Sequence, residues 1–243
     1  MPGYDSALIE IKNKIKKSID ESSDKLSVQD LNAVSRSHTY SYEKAGLAEG
    51  ENETVSGTFS LHHSNIAELA GYAAKHKKEA VVNQLLTVFK QQIKYYSAEQ
   101  LSDYTKDGAT CPPSFSVAAK DELASQKKAS LLAKICRVES MIEPLRQEYE
   151  KRIEPRTGFL SFLKSSQGDK AKFDEAGNML SEIKRLKSSL DNPVSSTTEQ
   201  WSFNSESSVF SGKFSHRLRD AAEKLDKLQV EVYPHSAQIK NSP

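Results

Sequence analysis

The chain has 243 residues, 37% hydrophobic and 28% charged, and its 34 Lys and Arg nearly balance 33 Asp and Glu for a formal net charge of +1. The interspersed signs exclude the one-sided basic excess of a nucleic-acid binder, and no stretch reaches the ~20 apolar residues of a membrane span. The length suffices to bury a real core, in one domain or two.

Residues 5–22 read as an amphipathic helix: Leu8, Ile11, Ile15 and Ile19 share a face and Asp5 is placed to cap it. Lys12, Lys14, Lys16 and Lys17 make the outside basic, the pattern of a helix that docks on an anionic membrane surface or of a solvated face. The opening residues lack the unbroken apolar run of a secretory signal, so export by that route is not expected. A short helix from Ser27 carries Val28, Leu31 and Val34.

Over 37–61 the period changes. Tyr40 and Tyr42 alternate with polar residues, as do Val55, Gly57, Phe59 and Leu61, with a turn-like acidic stretch at Ala45–Glu53. This pattern fits a β-hairpin near 38–61, or an ordered loop laid over the helices. Asn65 with Glu68 has the spacing of a capping box, opening a helix through Ile66, Leu69 and Ala73. Val82, Leu85, Leu86, Phe89, Ile93 and Tyr96 continue the stripe, which allows one unbroken helix. Ser97 with Gln100 repeats the capping pattern for a short helix ending near Tyr104. Lys106–Ser114 (KDGATCPPS) interrupts the helical pattern and predicts a boundary between a smaller helical region, 1–110, and a helical bundle, 114–243.

The strongest pattern follows. Leu131, Ile135, Val138, Ile142, Leu145 and Tyr149 step by alternating four and three residues along a helix from about Val117 to Ile153. Such a seam must be buried against partner helices, in this chain or another. Pro144 lies within it and predicts a kink; Pro155 ends it. Thr157–Lys164 (TGFLSFLK) reads as an apolar elbow. Gly168–Asp169 opens a helix carrying Phe173, Ala176, Leu180, Ile183, Leu186 and Leu190. After a polar connector at Asn192–Glu199 and a brief alternation at Trp201 and Phe203, a last stripe runs Phe210, Phe214, Leu218, Ala221, Leu225, Leu228 and Val232. The three stripes after Pro113 predict an elongated antiparallel bundle. Because the seam helix exceeds its partners in length, one end of the seam is the expected docking site for another protein.

Chemistry-bearing residues are sparse. His62 and His63 are adjacent and His76 stands alone, so no four-ligand zinc spacing exists. Cys111, in the proline loop, is the candidate nucleophile if His62, His63 or His76 comes to it; otherwise it is an ordinary loop thiol. Cys136 beside the seam reads as a small filler, and two cysteines so far apart fit a reducing compartment. No phosphate-binding glycine loop is present, and no cofactor is expected.

The segment Arg156–Leu186 (RTGFLSFLKSSQGDKAKFDEAGNMLSEIKRL) resembles an element of translocated effectors of intracellular bacteria, the Dot/Icm type IV class: an aromatic elbow, a Gly-Asp-Lys stretch, then an amphipathic helix. The resemblance implies delivery into the cytosol of a host cell and a host protein as partner. Without it the expected compartment is the cytoplasm. The class is defined by delivery, so no catalytic residue is carried over. The residues themselves predict a non-enzymatic protein-interaction module, with a Cys111-dependent enzyme and a peripheral membrane binder as the alternatives.

Overall fold

Residues 2–45, 52–106, 111–153, 167–191, 201–210 and 215–233 are described by a computed structural model. Their order is α1 (Pro2–Glu21), α2 (Val28–Ser35), β1 (Ser37–Ala45), β2 (Asn52–Ser60), α3 (His63–Lys75), α4 (Glu79–Gln92), α5 (Ala98–Ser102), α6 (Pro113–Ile153), α7 (Gln167–Asp191) and α8 (His216–Val232). The protein is mainly α with one small antiparallel hairpin, as the periodicities predict. The elbow at 157–164, the connector at 192–199, Phe214 and most of the acidic stretch at 45–53 lie outside the described residues. No helix among the described residues is long and apolar enough to cross a membrane.

The chain divides into two units, Met1–Gln126 and Lys127–Pro243. The division falls inside α6 and not at 106–114. Pro113 occupies the first position of α6, where its missing N–H costs nothing. Phe115, Ala118 and Ala119 then join the first core, and Leu131 begins the buried seam. Between them, Ala124–Ser130 (ASQKKAS) offers no large apolar side chain, and all of it except Gln126 is exposed. The surplus length of α6 is thus used by the first unit.

In the first unit, Ile15 and Ile19 of α1 are buried with Ile66, Leu69 and Ala73 of α3 and Leu85 and Phe89 of α4. Asp5 sits within the first turn of α1, where its charge complements the helix dipole, and not at the cap. The expected Asn65–Glu68 capping box does not form. The helix begins earlier, at His63, with His62 accepting the first backbone bonds from Asn65 and Ile66. Glu68 instead receives Lys12 and Lys16 from α1. Burial raises that carboxyl's pKa, but the two lysine bonds outweigh it and hold the group below its usual range. The stripe also breaks after Lys75. Lys77 takes a left-handed φ of 57°, and Lys78 N–H bonds Ala73 C=O at 3.0 Å, satisfying a helix-end carbonyl. A non-glycine residue there costs roughly 1 kcal/mol; the fold accepts it so that α4 can lie back on α3. Gln84 grips the α1–α2 link, accepting Leu26 N–H at 2.8 Å and donating to Leu26 C=O at 3.2 Å. The Ser97–Gln100 capping box forms as expected.

β1 and β2 pair without a bulge, from Ser37↔Ser60 through Tyr40↔Gly57 to Ala45↔Asn52. His38, Tyr40 and Tyr42 share a face with Val55, Gly57 and Phe59, and Tyr4 of α1 packs edge-on against Tyr40 and Phe59. Thr39, Ser41, Ser56 and Thr58 form the opposite, exposed face. The Tyr40 ring lies over Gly57, where a Cβ would come within 2.7 Å of it. Gly57→Ala is therefore expected to displace Tyr40 and cost about 1–2 kcal/mol, read as a lowered first-unit melting temperature. An undisturbed melt would show that the ring is free to move.

In the second unit α6 runs antiparallel to both partners. Lys128 pairs with Asp191 and Lys187 with Glu139 along α7, while Lys134 pairs with Glu231 and Arg217 with Glu148 along α8. It follows that α7 and α8 run parallel to each other, consistent with Gln229 meeting Glu182 and Tyr233 meeting Ser189. Of the segment joining them, residues 201–210 are described. Its described part is held by Trp201 Nε1 on Glu175 at 2.8 Å and by Phe210, buried in the core. Phe210 therefore stands in a 3-10 turn, Ser208–Phe210, before α8 and not on its stripe. Pro144 lies inside α6, exposed, with the helix continuous around it.

Candidate functional site

His62 and His63 stack with ring centroids 3.7 Å apart at the start of α3. His63 is only 4% exposed. Its Nδ1 bonds the Tyr104 hydroxyl, and its Nε2 has no partner. Burial, then the neighbouring His62, push its pKa down to about 4, against a smaller upward pull from Asp103. Cys111 lies near enough to Tyr104 to add to the rise that burial imposes on the phenol. The fold thus gathers His62, His63, Tyr104 and Cys111 into one neighbourhood. Its electrostatics do not favour a cysteine nucleophile: burial pushes the Cys111 thiol up, away from the thiolate a nucleophile needs, and the lowered pKa of His63 makes it a weak base. His76, at the far end of α3, faces Asp20 at 3.7 Å and takes no part. Among the described residues no three His, Cys, Asp or Glu converge to hold a metal ion.

The basic face of α1 is partly engaged within the fold, while Lys14 and Lys17 stay exposed. Ile15 and Ile19 are buried, and Lys12 and Lys16 are drawn to Glu68. The seam residues Ile135, Val138, Ile142, Leu145 and Tyr149 are buried against α7 and α8, and Leu131 is buried as well. Five of the six heptad positions thus pack in one core with this chain's own α7 and α8.

What remains open is a groove between α6 and α8, a cavity of about 310 Å³. Val138 and Leu228 form its floor, and Lys134, Arg137, Lys224 and Lys227 surround it with a single acid, Glu231. Lys134 is tied to Glu231 at 2.6 Å. Lys224 reaches only the Met141 sulfur, at 3.7 Å, while Arg137 and Lys227 have no ion-pair partner among the described residues. Each helix contributes two cations three residues apart, flanking its own apolar stripe. In the sequence these pairs read as ordinary solvated faces, since 90 residues separate Lys134 from Lys224. Antiparallel packing is what sums them. A second cavity, of about 680 Å³ between α6 and α7, is of mixed sign, with Glu143, Arg146, Asp174 and Lys184 around Gly177.

Comparison with protein-family models, with curated proteins and with solved structures finds no match to this chain. Its class is accordingly described by the fold and the groove: a mainly α protein of two units, the second presenting a basic cleft.

Proposed function

We propose that the protein is a non-enzymatic interaction module, and that its second unit takes an acidic, amphipathic helical segment of another protein into the α6–α8 groove. One observation carries this reading: four cations ring an apolar floor, and among the described residues only one of them is neutralised by a neighbouring acid. A helix laid in such a groove buries apolar anchors against Val138 and Leu228 while its acids meet the rim. Opposite charge raises the encounter rate and selects the partner. The cleft is at the small end for a ligand pocket, which suits side-chain anchors better than a whole small molecule. The resemblance of residues 156–186 to translocated effectors supports a host protein as that partner.

The test is fluorescence anisotropy with labelled amphipathic peptides, one acidic and one with its charges inverted. The acidic peptide is expected to bind, more tightly at low salt. R137E/K224E/K227E is expected to weaken it at least tenfold, about 1.4 kcal/mol. Fluorescence of the single tryptophan, Trp201, checks that the second unit stays folded. Equal binding of both peptides, or indifference to the triple reversal, overturns the reading.

A further inference from the structure

The hairpin of the first unit carries an unguarded edge. β1 lies beside α1, and among the described residues β2 pairs only with β1 in a sheet of two strands. Every second residue of β2 therefore turns its N–H and C=O away from the sheet, and no hydrogen bond from another element reaches them among the described residues. Proteins ordinarily protect such an edge with lysine, proline or a bulge. β2 (NETVSGTFS) has none of these: its nine pairs are in unbroken register, and Glu53 is its one charge.

The pattern of β2 is also symmetric about Gly57. Outward from that residue lie Ser56 and Thr58, then Val55 and Phe59, then Thr54 and Ser60. An antiparallel copy turned about a two-fold axis at Gly57 sets Ser56 opposite Thr58, Val55 opposite Phe59 and Thr54 opposite Ser60. Small hydroxyl residues then meet small hydroxyl residues on the open face, and apolar residues meet apolar ones on the α1 side. Such pairs are the favourable ones across strands, and self-complementarity is what a two-fold interface demands. We infer that the partner of this edge is a second copy of the chain, the two β2 strands joining the hairpins into one four-stranded antiparallel sheet. The inference rests on the first unit and is independent of the groove.

A strand edge buries less than a standard interface, so the association is weak. Sedimentation velocity of the full chain between about 1 and 300 μM is expected to pass from monomer to dimer. S56K/T58K, at two exposed positions, sets the introduced lysines opposite one another and is expected to weaken the dimer at least tenfold. S56K/T58E sets each introduced lysine opposite an introduced glutamate and is expected to restore it. Far-UV circular dichroism checks the fold of each variant. Hydrogen exchange of the wild-type chain gives an independent readout, with alternate β2 amides gaining protection as concentration rises. A chain that stays monomeric throughout leaves the edge to an extended segment of some other protein and overturns the proposal. So does a dimer insensitive to S56K/T58K, a folded S56K/T58E that fails to recover, or β2 protection independent of concentration.

Discussion

Replacing Arg185 by methionine is expected to destabilise the second unit by about 3 kcal/mol. Glu182, 4% exposed, is a buried carboxylate of that unit. Arg185 grips both of its oxygens, Nε to Oε2 at 2.8 Å and Nη2 to Oε1 at 2.5 Å. Gln229 of α8 adds Nε2 to Oε1 at 2.7 Å, and the same amide nitrogen donates to Trp201 C=O at 2.8 Å. One carboxylate therefore ties α7 to α8 and, through Gln229, to Trp201. Without the guanidinium it keeps a single neutral donor in a site closed to water, and an uncompensated buried charge is among the costliest defects a fold can carry. Glu182→Leu combined with Arg185→Met removes both charges, while Gln229 still holds Trp201. The double variant is expected to regain most of the loss. Urea denaturation followed by Trp201 fluorescence measures all three proteins. If the double variant is as unstable as Arg185→Met, the cost lies in lost packing and the charge argument is wrong.

Acid is expected to weaken the first unit through His63. The imidazole has a pKa of about 4 in the folded chain against 6.5 in the unfolded one. Between those values the unfolded chain binds a proton that the folded chain refuses, so stability falls as pH drops from about 6.5 and levels off below about 4. The loss is about 3 kcal/mol. His62, whose pKa burial also lowers, acts in the same direction. Other groups titrate in this window too, so the informative quantity is a difference. His63→Phe keeps a ring against Tyr96 and cannot be protonated. It gives up the Tyr104 bond, and is expected to be no more stable than the wild type at pH 7.5 yet to lose less on acidification. Thermal unfolding followed by circular dichroism from pH 7.5 to 4 compares the two. Parallel curves would remove His63 from the account.

Much of this architecture was legible from local patterns. The heptad seam, the stripes of α7 and α8 and the alternation at Tyr40, Tyr42, Val55 and Phe59 each report a burial period, and the capping box at Ser97 a helix start, set by neighbouring residues. The misplaced boundaries each have an identifiable cause. Lys77 adopts a left-handed turn with no glycine or proline to announce it. Glu68 has the spacing of a cap, but two lysines more than fifty residues away in the chain claim its charge. Pro113 looks like a breaker and instead serves as a helix's first residue.

The candidate sites divide along the same line. Residue order alone was enough to say that six seam side chains must be hidden from water, because helical geometry dictates which residues share a stripe. It had no means of saying what hides them. That α7 and α8 close the seam while running parallel, that Lys134 and Arg137 come to share a cleft with Lys224 and Lys227, and that His63 ends beside Tyr104 with Cys111 near are all consequences of long-range packing. Such packing is chosen by the free energy of whole helices finding one another, and no single window of sequence contains it.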